Sequence, residues 1–155
     1  MSPASGAAPP KDDSDYLDRL SKAIFTAGLN WRMVENKWPG FRAAFSGFSP
    51  SKVARLTERD IDVLMKDSRI VRNERKIRAT VENAKAMLAL QREYGSVKGY
   101  IDSFGKREAE LLTALQQEFR HAGPSTARAF LWMVGYPLRP TKEEAKWVKV
   151  HRKQE

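Results

Sequence analysis

The sequence contains no cysteine, which excludes disulfides, thiolate-held metals and cysteine nucleophiles together. Histidine is nearly as scarce. His121 and His151 are the only two, too few for a histidine-rich zinc site, so neither a metal nor a cofactor is expected. No apolar stretch approaches the ~20 residues of a membrane-spanning helix. The N-terminus lacks a basic segment followed by an apolar one. A cytoplasmic protein without a membrane partner is therefore expected. No segment alternates polar and apolar residues over a useful length, which argues against strands.

What is present is apolar residues at 41%, charged residues at 30% and a chain of 155 residues. That is the balance of one folded domain able to bury a real core. Lys and Arg number 28 against 19 Asp and Glu, a formal net charge of +9. A chain this basic is attracted to polyanions, either nucleic acid or an anionic membrane face. A merely basic, solvated surface is the plainer alternative.

Residues 1–14 combine small residues, prolines and charges and read as a disordered tail; residues 15–155 read as a single all-α domain. Ser14 or Asp15 can cap a first helix to about Ala27, with Leu17, Leu20, Ile24 and Ala27 on one face and Gly28 as its stop. A second helix spans 31–38, ended by Pro39 and loosened at Gly40, with a helical turn over 41–45. Ser49-Pro50 opens a helix to about Leu56, and Thr57 to Asp60 resembles a capping box for a helix through Met65. Asn73 caps a long helix to about Arg92, with Ile77, Val81, Ala84 and Leu88 as its buried stripe. Helices over 97–104, 107–119 and 125–134 follow. A capping box at Thr141 opens a basic final helix.

Four constellations carry chemical possibilities. The turn His121-Ala122-Gly123-Pro124-Ser125 joins two helices in a helix-hairpin-helix arrangement. The first amides of the second helix would lack partners and carry the positive end of its dipole, which suits a phosphate. Ser125 and Thr126 add hydroxyls there, and Arg120 and Arg128 add charge. An ordinary helical corner is the alternative. Residues 69–78 hold Arg72 and Arg75 among four arginines and one lysine, either a phosphate-facing rim or a solvated face. Leu29 and Trp31 flank Asn30 beyond Gly28, and could wedge into or stack on bases, or else fill the core. The C-terminus from Arg139 to Lys153 adds Lys142, Lys146, Lys149 and Arg152 around Trp147 and Val150. It reads either as one side of a nucleic-acid groove or as a solvated helix.

Several runs resemble the DNA-3-methyladenine glycosylase I family of the helix-hairpin-helix superfamily. They are Ala27-Gly28-Leu29-Asn30-Trp31, Phe41-Arg42-Ala43-Ala44-Phe45, residues 48–54, Ile70-Val71-Arg72-Asn73 leading into Lys76-Ile77, and Asn83-Ala84. Phe119 to Gly135 is similar to the family's later hairpin. The resemblance implies an all-α, glycosylase-like helical domain with double-stranded DNA across a cleft between two lobes. It implies a monomer that extrudes a damaged purine and cleaves its N-glycosidic bond in base-excision repair. Trp31 would stack on the extruded base, Leu29 would lie near the gap left in the duplex, and Gly123 to Thr126 would bind phosphate.

The chain also departs from the family pattern. The glutamate that the family carries four residues before the alanine of Ala-Gly-Leu is Ala23 here. The family's Tyr-His-Asp-x-Glu-Trp-Gly-like block and its two cysteine and two histidine zinc ligands have no counterparts. Beyond Gly135 the family's aspartate position is Arg139. Glu35 is the nearest carboxylate to Trp31 and the only candidate catalytic acid or base. Two expectations follow, a DNA N-glycosylase acting on alkylated purines and a non-catalytic DNA-binding or lesion-sensing relative. A protein-interaction module that has lost DNA is a third.

Overall fold

The computed structural model describes residues 8–152, with side-chain surroundings for 8–147. Those residues form nine α-helices and one 3₁₀ turn, with no strand among them. α1 (Asp13–Thr26) is the central post, packed by α2 (Trp31–Ala44), α5 (Glu74–Tyr94) and α8 (Pro124–Met133). It begins at Asp13 and is capped by Asp12 rather than by Ser14 or Asp15, because the Asp12 carboxylate accepts from the Asp15 N–H. Asp13 is itself buried and accepts from the Val97 N–H at 2.9 Å. Asp13 and Ser14 thus belong to the folded body, while residues 1–7 of the expected tail lie outside the described residues.

Leu17, Leu20 and Ile24 line the buried face of α1 as expected, but Ala27 is its exposed C-cap. Gly28 follows with φ +76°, the left-handed conformation that a helix stop requires and that glycine adopts without strain.

Pro39 does not end the second helix. α2 continues through it to Ala44. Proline removes the N–H that would reach the Glu35 carbonyl, but both residues are exposed, so water can serve that carbonyl. Buried Trp38 and Phe41 on either side hold the helix together: their rings lie 4.7 Å apart, and Phe48 stacks 5.3 Å from Trp38. Gly40 does not loosen the chain either. A Cβ there would meet the Arg69 carbonyl oxygen at 2.7 Å, so glycine lets the 69–70 loop press against α2.

The 3₁₀ turn Ser46–Phe48 leads to α3 (Pro50–Val53), and the Thr57–Asp60 capping box opens α4 (Glu58–Leu64) as anticipated. Asn73 caps α5 through the Lys76 N–H. Its stripe runs Ile77, Val81, Ala84, Met87 and Leu90, with Leu88 only half-buried. The drift has a tertiary cause: α6 (Val97–Asp102) packs against α5 alongside its earlier partners. α7 (Glu108–Glu118) and α8 form the hairpin, and α9 (Lys142–Arg152) follows.

Candidate base pocket and phosphate corner

The corner between α7 and α8 is held from beneath. Asn83 of α5, almost fully buried, accepts the Arg120 N–H at 2.7 Å and donates to the Arg120 carbonyl at 3.2 Å. His121 takes a left-handed φ of +57°. Gly123 is in ordinary extended backbone with open space where a Cβ would lie. Nothing inside the protein requires glycine there. Pro124 starts α8 at the position where its missing N–H is harmless. No side chain caps this helix, and the first backbone donor with a partner is Ala127, to the Gly123 carbonyl. The Ser125 and Thr126 amides are left as helix-terminal donors at the positive end of the dipole.

Beside that corner lies an open cavity of about 920 Å³. α1 supplies Asp18, Arg19, Lys22, Ala23 and Thr26; α2 supplies Trp31, Glu35 and Arg42; α8 supplies Ser125, Thr126 and Trp132. Trp31 is 59% exposed, so its indole is not part of the core. Asn30 fixes the start of α2 by accepting the Arg32 N–H, which presents Trp31 on the first turn. Leu29 is exposed on the adjoining loop but does not line the cavity.

Two ion pairs cross the cavity wall. Asp18, buried, accepts from Arg42 Nε at 2.7 Å and from Trp38 Nε1 at 3.1 Å. The Asp18 carboxylate raises the Arg42 pKa, chiefly through that hydrogen bond. Glu35 is half-exposed and lies 2.6 Å from Lys22 Nζ. Glu35 thus does face the cavity, already paired with a cation. The sequence reading missed Asp18, Lys22, Arg42 and Trp132. Asp18 and Lys22 stand one turn apart on α1, a spacing that signals a shared face but not what the face meets.

The structure brings Trp31, Glu35, Ser125 and Thr126 to one cavity, and the other expected residues are not in its lining. Lys76 ties the start of α5 to the Gly28 loop by donating to the Ala27 carbonyl at 3.0 Å, and burial lowers its pKa. Arg72 and Arg75, exposed beside it, form no ion pair among the described residues. Their neighbours are neutralised: Arg69 pairs with Asp67 and Arg78 with Glu58 and Glu74. Arg120 is exposed at the corner. Arg128 is not a free cation, because Glu144 of α9 lies 2.9 Å from it and the Arg139 carbonyl accepts from it at 2.8 Å. Trp147 is exposed; the side chains of Lys149, Val150 and Arg152, and all of Lys153, lie outside the described residues. No described cluster could hold a metal ion, and no described helix is long and apolar enough to cross a membrane.

An all-helical body with a hairpin corner beside an aromatic-edged cavity defines the helix-hairpin-helix DNA glycosylase class of fold. The profile of the methyladenine glycosylase family matches residues 6–129, and the chain belongs to that family. It is 35% identical over 96 residues to a DNA-3-methyladenine glycosylase of Haemophilus influenzae, covering 62% of this chain and 52% of that protein. It is 34% identical over 106 residues to DNA-3-methyladenine glycosylase 1 of Escherichia coli, covering 68% and 57%. The matches thus span little more than half the length of these relatives. Among solved structures, 3-methyladenine DNA glycosylase I from Staphylococcus aureus superposes with a TM-score of 0.75 at 28% identity, over 84% of this chain and 80% of that one.

Proposed function

We propose that this chain grips double-stranded DNA as a monomer, extrudes an alkylated purine into the cavity beside Trp31 and hydrolyses its N-glycosidic bond, acting in the cytoplasm. The observation that carries the reading is one shared cavity. An exposed indole and the uncapped first turn of a hairpin helix line the same space. Trp31 would stack on the extruded base, Leu29 would enter the gap it leaves, and the Ser125 and Thr126 amides, with Gly123, would hold a phosphate. Arg72, Arg75 and Arg120 would screen neighbouring phosphates, with Arg128 joining them once parted from Glu144. Extrusion costs a few kcal/mol, which stacking and phosphate contacts must offset. On cleavage the base leaves with the glycosidic electron pair. Water then adds hydroxide to the sugar carbon, and its proton goes to the base. Glu35, which lines this cavity, would be the acid or base.

Alanine at position 23 favours a second reading, a lesion-sensing relative that binds DNA without cleaving it. Incubation with methylated duplex DNA, followed by chromatography of released bases, separates the two. Release of an alkylated purine is the expected result. Salt-dependent duplex binding without release at enzyme excess leaves the sensor. Absence of duplex binding at low salt removes both.

A further inference from the structure

Residues 27–33, between the end of α1 and the first turn of α2, are all exposed and form a knuckle. The knuckle is anchored at both ends. The Leu29 N–H donates to the Thr26 carbonyl at 3.0 Å, Asn30 caps α2, and Lys76 reaches from α5 to the Ala27 carbonyl. Three large apolar side chains stand on it, Leu29 at 41% exposure, Trp31 at 59% and Met33 at 40%. The first two have a place in the proposed reading, whereas Met33 has none. Two residues of α-helix turn a side chain by about 200°, so Met33 and Trp31 project from opposite flanks of α2. Val34 between those flanks is fully buried, which fixes the rotation of the helix. Trp31 lines the cavity and Met33 does not.

We infer that Met33 is a second wedge, which packs on the unpaired base of the strand opposite the extruded purine. This rests on the DNA reading and extends it to the other strand. The surroundings select a polyanion with apolar faces. Residues 27–34 contain no carboxylate and include Arg32, while Arg72 and Arg75 stand without an ion pair among the described residues, beside the start of α5 that Lys76 joins to the knuckle. Extrusion leaves a gap in one strand and a partnerless base in the other. Leu29 can fill the gap, but one side chain does not also cover the orphaned base. A helix tip entering the duplex with its Trp31 flank toward the extruded base presents its other flank, and so Met33, to the opposite strand. A thioether suits that position, because it is apolar, polarizable and flexible enough to lie against any base.

The test binds the full chain to a duplex carrying one tetrahydrofuran abasic analogue opposite thymine, which already holds the gap and the unpaired base and needs no cleavage. Affinity is read by fluorescence anisotropy. Met33→Ala and Met33→Gln are each expected to weaken binding by about fivefold or more, and Met33→Leu to bind as the unaltered chain does. On a single strand with the same analogue, which has no opposite base, the difference should vanish. Urea midpoints should not move, because the side chain is exposed. Placement is read with 4-thiothymine opposite the analogue. Irradiation should crosslink it to the tryptic peptide 33–37, which cleavage after Arg32 separates from Leu29 and Trp31. Duplex binding unweakened in Met33→Ala and Met33→Gln overturns the inference, and so does a crosslink that is absent or confined to other peptides. A weakened Leu29→Ala in the same assay shows the DNA reading standing without it. If the unaltered chain does not bind the abasic duplex, the DNA reading fails and takes the inference with it.

Discussion

Trp31 and Trp38 stand two turns apart on α2 and share a face of it, yet their surroundings are opposite. Trp38 is 2% exposed, stacked between Phe41 and Phe48, with its N–H satisfied by Asp18. Trp31 is 59% exposed, with the Arg32 guanidinium 5.7 Å from its ring. Nothing in helical periodicity separates them. The difference is set by α1, which ends at Thr26 and turns away at Gly28. Its side wall seals Trp38, whereas Trp31 stands at the rim of the cavity. One helix thus holds a core residue and a candidate ligand-stacking residue, distinguished only by where its neighbour stops.

Substitutions at the two tryptophans should separate stability from binding. Trp38→Ala removes a buried ring and orphans one Asp18 hydrogen bond, so it should lower stability by about 3–5 kcal/mol in urea denaturation. Trp31→Ala should leave the urea midpoint nearly unchanged, and weaken binding of a duplex with an unpaired purine by about 1–3 kcal/mol, measured by anisotropy. Equal stability losses at both positions would break the contrast.

The hairpin corner sharpens it further. Asn83→Ala leaves the part-buried Arg120 amide and carbonyl contacts unmade, which should cost about 1–3 kcal/mol of stability and also weaken duplex binding. Arg72→Ala and Arg75→Ala should not alter folding, but each should reduce the log–log salt dependence of duplex affinity by about one unit. The smallest effect concerns Glu144. The Thr141 N–H and then the Arg128 guanidinium hold its carboxyl below the ordinary value of 4.5. Its folded pKa is depressed, so its contribution is present above that ordinary value and is lost as pH falls through the lower folded one. Hydrogen exchange at the first turn of α9 should accelerate over that acidic window and not at neutral pH.

Much of this architecture was legible locally. Asn73, Thr57 with Asp60, and Gly28 act as the helix boundaries their chemistry suggests, because capping is settled within four residues. Pro39 was misleading because the propensity of one residue lost to the burial of Trp38 and Phe41 beside it. Trp31, Ser125 and Thr126, expected at a site from family resemblance and turn chemistry, line one cavity. Asp18, Lys22 and Arg42 were not legible, since their meaning depends on helices brought together from distant parts of the chain. Arg128 was read as an available cation because its partner, Glu144, is contributed by α9.

The most direct measurement of the central claim is the fluorescence of Trp31 on binding a duplex that carries one methylated purine. A base stacked on this indole predicts strong quenching over undamaged duplex and its disappearance in Trp31→Phe. The same quenching in Trp31→Phe, or none in the unaltered chain despite tight duplex binding, would contradict the account.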